Sequence, residues 1–447
     1  MRMPQKKALS GLDRTEAVFS RLAGTGGSVW LDTSLGVPGR GTRSVMARAP
    51  RLKLAFDGQA VIKEAGGQRF VRPANIHSYL QELNNAWAEP GLVSVGYITY
   101  EAMIRMLSLE PAATNRHIPE AMFCFYDSAM LFVGASDEPL ITGARADEYG
   151  DVLKGPLQEL RPPSPPPDAL GRATMSVDEY LRRVTRVKEH ILEGDIYQAN
   201  LTTRFDIDCP LDPWDVYRHL RRINPAPFSA FLDFGDFEII SCSPERMFLL
   251  NADGRIATAP IKGTVASGTT EAEHKRRVEE LLKSVKDRAE LLMIVDLLRN
   301  DLGRVARVGS VTVDSLFKAE RYASVTHLVS DISARLQAGL SLSDVFTALS
   351  PGGSITGAPK RRAVEILLEL ETQPRDVYTG CIGWVYRGRA EFNIAIRTMI
   401  HDHDGYHVHA GGGIVADSDP EFERQEVLLK AERIFAALGV RPSQMGW

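Results

Sequence analysis

Cysteine is scarce. The 447-residue chain has four, Cys124, Cys209, Cys242 and Cys381, far apart and in no CxxC or Cys/His pairing. That spacing offers neither a disulfide framework nor a structural zinc site, and it suits a reducing cytoplasm. No window reaches the roughly 18 uncharged apolar residues that a membrane span needs, and the basic start MRMPQKKALSGLDRTEAVFSRL lacks the apolar segment of an export signal. Neither anchoring nor secretion is expected. An excess of one charge is also missing: 53 Lys plus Arg face 57 Asp plus Glu, so a net charge of −4 gives no field for nucleic acid or an anionic membrane. The 37 glycines and 25 prolines show no collagen-like period and the chain no internal repeat, while 44% apolar and 25% charged residues exclude fibre and disorder. What remains is a globular chain long enough for about three domains or one large α/β or α+β unit, with a small ligand as the expected partner.

One composition break stands out. Arg161-Pro-Pro-Ser-Pro-Pro-Pro167 cannot enter a helix or a central strand, so a connector is expected at about 156–172, dividing residues 1–155 from 173–440. Before it, Ser28–Asp32, Leu92–Glu101 and Ala121–Gly134 read as strands and Asn75–Ala86 as a helix. After it, Ser176-Val-Asp-Glu179 has the form of a capping box for a helix over 176–193. Phe228–Phe234 with Phe237–Cys242, and Met247–Leu250 with Arg255–Ile261, read as hairpins around Gly235-Asp236 and Asp253-Gly254. Helical stretches follow over Glu271–Leu302, from Pro359, and over Pro420–Leu438.

Asp287 and Glu290, at i and i+3, share a helix face beside the apolar run LLMIVDLL, and Glu423 and Glu426 repeat the spacing on the last helix. Two such faces meeting would make an all-oxygen site for a hard cation such as Mg²⁺; the other reading is surface carboxylates paired with Lys286, Arg288 or Arg424. Pro351-Gly-Gly-Ser-Ile-Thr-Gly-Ala-Pro-Lys360 leads into a helix, and Ala410-Gly-Gly-Gly-Ile414 follows a strand, so both can bring backbone amides to an anion or simply turn the chain. Lys262, in Ala259-Pro-Ile-Lys-Gly-Thr264, either snorkels to solvent or is desolvated as a nucleophile. Glu245 in Ser243-Pro-Glu-Arg246 points beyond a strand end or pairs with Arg246. His401, His403, His407 and His409 invite a metal assignment, but an Asp404-Gly405 turn pairing 403 with 406 puts the first two on the opposite face from the last two. A solvated hairpin is expected.

These segments resemble the chorismate-utilising enzymes: anthranilate synthase large subunits, aminodeoxychorismate synthase component I, and isochorismate and salicylate synthases. The resemblance runs over 172–447 through GDIYQANL (194–201), SPER (243–246), PIKGT (260–264), KDRAELLMIVDLLRNDLGR (286–304), THLVS (326–330), PGGSITGAPK (351–360), IAIRT (394–398) and AGGGIVADS (410–418), with weaker matches at VWLDTS (29–34) and GYITYE (96–101). It implies an α+β fold of two large mixed or antiparallel sheets packed face to face, helices outside, and a site in the cleft between them. Aminodeoxychorismate synthases carry PIKGT where anthranilate synthases have alanine for the lysine, so the resemblance implies that Lys262 adds to C2 of chorismate as the C4 hydroxyl leaves. Gln198 stands where isochorismate and salicylate synthases carry a water-activating lysine, which argues against hydroxylation.

The resemblance further implies that Glu290 and Glu426 bind Mg²⁺ with Asp287 and Glu423 supporting, and that Glu245 protonates the departing oxygen. Arg397, Tyr378 and the amides of Gly411, Gly412 and Gly413 would hold the enolpyruvyl carboxylate, and His327 and Thr356 would line the ring. The chain shows no glutaminase-type cysteine motif and no pyridoxal-phosphate lyase segment, so a separate glutamine amidotransferase subunit would supply ammonia and a separate lyase would finish 4-aminobenzoate for folate synthesis. Anthranilate synthase, and a non-catalytic dicarboxylate-binding protein, are the alternatives.

Overall fold

The computed structural model describes residues 11–447 except 24–25, 42, 112–117, 134–137, 155–156, 158–159 and 323–324. Two large sheets dominate it, and every strand pair in them is antiparallel. The first orders Leu170–Ala173, Gln198–Asp208, Gly405–Ile414, Thr398–Asp402, Glu238–Ser243, Phe228–Asp233, Ser28–Asp32, Arg43–Ala47, Ser128–Val133 and Leu140–Gly143. The second orders Ile261–Ala266, Val325–Arg335, Arg255–Ala259, Arg246–Leu250, Arg389–Asn393, Cys381–Tyr386, Val93–Ile98, Ala121–Tyr126, Leu52–Phe56, Ala60–Ala65 and Gln68–Pro73. Strands from both sides of the proline-rich segment share each sheet: Ser28–Asp32 pairs with Phe228–Asp233, and Val93–Ile98 with Cys381–Tyr386.

Alternation along the strands builds three apolar layers. Val29, Leu31, Ala230, Leu232 and Ile239 of the first sheet meet Val93, Val95, Tyr97, Cys124 and Ile382 of the second, so the sheets pack face to face. Trp30, Phe231 and Ile240 turn the other way, under the helices Val177–Leu192, Pro213–Ile223 and Pro420–Leu438. Phe123, Phe125, Phe248 and Phe392 face the helices Ile76–Trp87, Val285–Gly303 and Leu342–Leu349 on the far side of the second sheet. The expected α+β architecture is observed.

Several boundaries differ from the sequence reading for local reasons. Leu92–Glu101 is a strand only to Ile98, because Thr99 accepts from the Ala102 amide and starts a helix over Tyr100–Met106. Ala121–Gly134 is two strands, Ala121–Tyr126 in the second sheet and Ser128–Val133 in the first, the chain crossing at Asp127; Gly134 lies outside the described residues. Glu271–Leu302 is two helices meeting at Ser284, which ends one and caps the next by accepting from Asp287 N at 3.2 Å. Pro260 divides Arg255–Ile261, and residues 170–172 of the expected connector join an edge strand. Ser176 caps its helix through Glu179 N at 3.2 Å, but the Glu179 carboxylate pairs with Arg183 instead of completing a capping box. The last hairpin turns at His403-Asp404, pairing Asp402 with Gly405 and His401 with Tyr406. This corrects the expected register but preserves its parity, so His401 and His407 still lie on opposite faces. They do not combine: His401 pairs with Glu238 at 2.7 Å, and His407 bridges Asp206 at 2.8 Å and Asp402 at 3.1 Å.

Candidate active site

Glu245 and Arg397 occupy adjacent crossings between the sheets. Glu245 lies between Glu238–Ser243 of the first sheet and Arg246–Leu250 of the second; Arg397 lies between Arg389–Asn393 of the second and Thr398–Asp402 of the first. Their backbones are stitched to each other's strands, Ile394 N donating to Glu245 O at 3.0 Å and Cys242 N to Arg397 O at 3.1 Å. Glu245 is only 4% exposed, and burial pushes its carboxyl up to about 7, against the opposing pull of the Ser354 hydroxyl and the Lys262 and Lys430 charges. It is a buried acid near neutral pH, a form suited to proton donation. Its expected alternative partner Arg246 is instead paired with Glu391 at 2.6 Å.

Lys262 stands on Ile261–Ala266, across from Leu328. Burial moves its ammonium below the usual lysine range, with Glu290, Glu245 and Glu426 opposing and Lys430 assisting that shift. Its Nζ donates to the Ser354 carbonyl at 3.5 Å, and it does not snorkel to a surface partner. Gly413 makes room here: a Cβ on it would lie 2.8 Å from Gln198 Nε2 and 3.7 Å from Lys262 Nζ. Gln198 is fully buried, and among the described residues neither of its amide atoms has a hydrogen-bond partner, which is uncommon for a buried polar group.

The four carboxylates approach this point from two helices. Asp287 packs on Gly263, where a Cβ would come within 2.9 Å of its Oδ1, and Glu290 lies 3.9 Å from Lys286. Glu423 accepts from Ser418 at 2.6 Å, while its buried Oε2 has no hydrogen-bond partner among the described residues and would lie 2.9 Å from a Cβ on Gly412. Burial raises the Glu423 carboxyl; burial also raises that of Glu426, but Lys430, 2.6 Å away, and Lys262 outweigh it and bring the group below its usual range. No three of the four close to within 4.8 Å of one another, as the acidic groups at His190, Glu193 and Asp195 and at Asp402, His403 and Asp404 do among the described residues. Lysines interleave instead. The set nonetheless fits a hard divalent cation, with oxygen donors throughout, one buried carboxylate oxygen unpartnered, and positive charge already drawn in.

Arg397 is half-buried with no carboxylate partner among the described residues; its guanidinium donates to Asn224 Oδ1 at 3.4 Å, and desolvation lowers its pKa. A partly desolvated, unpaired cation is favourably placed to receive an anion. His327 lies beside it, 2% exposed, held by Thr264 through Nδ1 at 2.8 Å and packed edge-on against Tyr322. Burial and Arg397 push its pKa down to about 3, so it is neutral, and its Nε2 is unpartnered among the described residues. Thr356 is fully buried, its hydroxyl donating to Gly352 O at 2.9 Å. Tyr378 stacks on His409, and burial takes its phenol up to about 12, opposed by Arg375 and by a backbone hydrogen bond from Gly411. Of the three expected glycine amides, Gly411 is thus engaged by Tyr378, and Gly412, one residue on, faces Leu201 in the sheet. Gly413, in phase with Gly411, faces the Gln198–Lys262 side.

Two neighbours went unread in the sequence. Lys430 donates to Gly411 O at 3.0 Å as well as meeting Glu426; the i, i+4 spacing after Glu426 was its signal. Ser354 donates to Glu245 Oε1 at 2.9 Å. Lys360, at the end of the same glycine-rich segment, is not an anion ligand: it is buried against Asp301 at 2.7 Å.

A chain with such a constellation compares with known proteins as follows. The family model described as chorismate binding enzyme matches residues 39–436, and the chain belongs to that family. It is 41% identical to the aminodeoxychorismate synthase component 1 of Salmonella typhimurium over 333 residues, 74% of this chain and 72% of that protein. It is 43% identical to the anthranilate synthase component 1 of Aquifex aeolicus over 270 residues, 60% of this chain but only 54% of the relative's length. Among solved structures, anthranilate synthase component I from Streptococcus pneumoniae superposes with a TM-score of 0.79 at 28% identity, covering 97% of this chain and 99% of that one. Among the described residues no helix is long and apolar enough to cross a membrane.

Proposed function

We propose that the chain is the chorismate-aminating component of an aminodeoxychorismate synthase, converting chorismate and ammonia to 4-amino-4-deoxychorismate. The observation that carries this reading is Lys262, half-buried with a lowered pKa, its Nζ on the same Ser354 whose hydroxyl meets the buried acid Glu245. Neutral Lys262 adds to C2, the conjugated ring double bonds shift, and Glu245 gives its proton to the C4 oxygen, which leaves as water. Ammonia then adds at C4, the double bonds shift back, and the lysine nitrogen leaves C2. Gln198, with both amide atoms unpartnered, can orient the ammonia. Arg397, Tyr378 and the Gly413 amide receive the enolpyruvyl carboxylate, while His327, neutral, accepts from a ring hydroxyl through Nε2.

Glu290 and Glu426, supported by Asp287 and Glu423, would hold Mg²⁺, which when bound engages the ring carboxylate and polarises the substrate. A glutamine amidotransferase subunit would deliver the ammonia. The presence of anthranilate synthases among the relatives supports a second reading, amination at C2 with loss of pyruvate. Incubation with chorismate, ammonia and Mg²⁺ separates the two: the proposal expects an aminated product that retains the enolpyruvyl group, and anthranilate formed without a lyase contradicts it.

A further inference from the structure

The groups that do the proposed chemistry come from distant strands, and one residue touches both. Ser354 is 7% exposed; its hydroxyl donates to Glu245 Oε1 at 2.9 Å, and its carbonyl accepts from Lys262 Nζ at 3.5 Å. The turn that carries it, Gly353–Ile355, is fixed on every side. A Cβ on Gly353 would come within 2.3 Å of Leu297 Cδ2, and one on Gly352 within 3.2 Å of Ile394 Cδ1. Arg375 donates to Ile355 O at 3.0 Å, Thr356 to Gly352 O at 2.9 Å, and the Lys360–Asp301 pair holds the segment's far end.

We propose that Ser354 is a positioning residue, its hydroxyl orienting the carboxyl of Glu245 and its carbonyl placing Lys262, so that one short turn sets the distance between acid and nucleophile. A hydroxyl suits both states of the acid, accepting from protonated Glu245 or donating to the carboxylate left after the proton goes to the C4 oxygen. The carboxylate forms only as the leaving oxygen departs, so the donated bond strengthens along the reaction and acts on kcat. Lys262, Lys430 and Tyr322 face Glu245 as well, with the Ile261 amide, and they are untouched by a change at residue 354.

This rests on the reading that the chain turns over chorismate. Ser354→Ala and Ser354→Thr are compared with the wild type for kcat, KM and the pH profile of kcat. The alanine variant is expected to lose about 10- to 100-fold in kcat, the range of a hydrogen bond to a charged group, with KM unchanged and the alkaline limb, where Glu245 loses its proton, moved to higher pH. The threonine variant, which keeps the hydroxyl, is expected to recover most of the rate. Wild-type kcat and an unmoved limb in Ser354→Ala overturn the proposal, as do a threonine variant no better than alanine and a loss confined to melting temperature and KM. Carboxyl titration of Glu245 by ¹³C NMR needs no turnover: its pKa rises in Ser354→Ala if the two are coupled. A wild type inert to chorismate with that rise present would sink the functional reading and leave the Ser354–Glu245 coupling standing; no rise sinks the coupling.

Discussion

Two regions bury charge in opposite ways. Under the N-terminal strands, Glu16 is 1% exposed and accepts from Arg221 at 3.1 Å and Arg222 at 2.9 Å, besides Arg218, while Asp32 takes Arg221 at 2.9 Å and the Tyr217 hydroxyl at 2.9 Å. At the candidate site, among the described residues, Arg397 has no carboxylate, and the Gln198 side-chain amide, His327 Nε2 and Glu423 Oε2 have no hydrogen-bond partner. The first arrangement sets each buried carboxylate against arginine; the second leaves groups that the proposed anionic substrate and cation would engage. Unsatisfied burial is therefore the more direct mark of function here.

The comparison breaks most sharply at the carboxylates. Glu290→Gln or Glu426→Gln is expected to abolish measurable turnover at ordinary Mg²⁺ while leaving melting unchanged, and normal turnover in a folded Glu290→Gln protein would remove the cation from the account. Next come the two arginines. Arg221→Ala takes the arginine from buried Asp32, while Glu16 keeps Arg218 and Arg222, and should cost about 3–5 kcal/mol in chemical denaturation. Arg397→Ala removes an unpaired cation, so stability should hold or rise while chorismate affinity falls by about 2 kcal/mol or more in calorimetry. A large stability loss in Arg397→Ala would mean that it is structural.

The smallest effect concerns the histidines. Asp206 and Asp402 overcome burial and raise His407 to about 9, above the ordinary 6.5. Its contribution to stability is therefore full below about 6.5 and lost as pH rises toward 9. His407→Asn should flatten the melting temperature between those values, whereas a His327 variant should not, because His327 is already neutral there. An unchanged slope in His407→Asn contradicts the bridge.

The sequence reveals what is local. Helix caps and hairpins follow from short spacings, and they reappear in the structure. What it hid depends on partners far apart. The crossing at Asp127 was invisible because strands of either sheet are buried on both faces and read alike. Ser354 reaches Glu245 over 109 positions, so nothing near it in the chain announces the contact. The direction of the Lys262 shift likewise needed the surrounding charges, not the residue's neighbours in sequence.

Lys262 carries the central claim, and intact-mass measurement tests it most directly. Wild type incubated with chorismate and Mg²⁺ without ammonia should gain the mass of chorismate less water, and Lys262→Ala should not, while losing most C4 amination. No adduct on the wild type, together with a Lys262→Ala enzyme that forms 4-amino-4-deoxychorismate at the wild-type rate, would contradict the account.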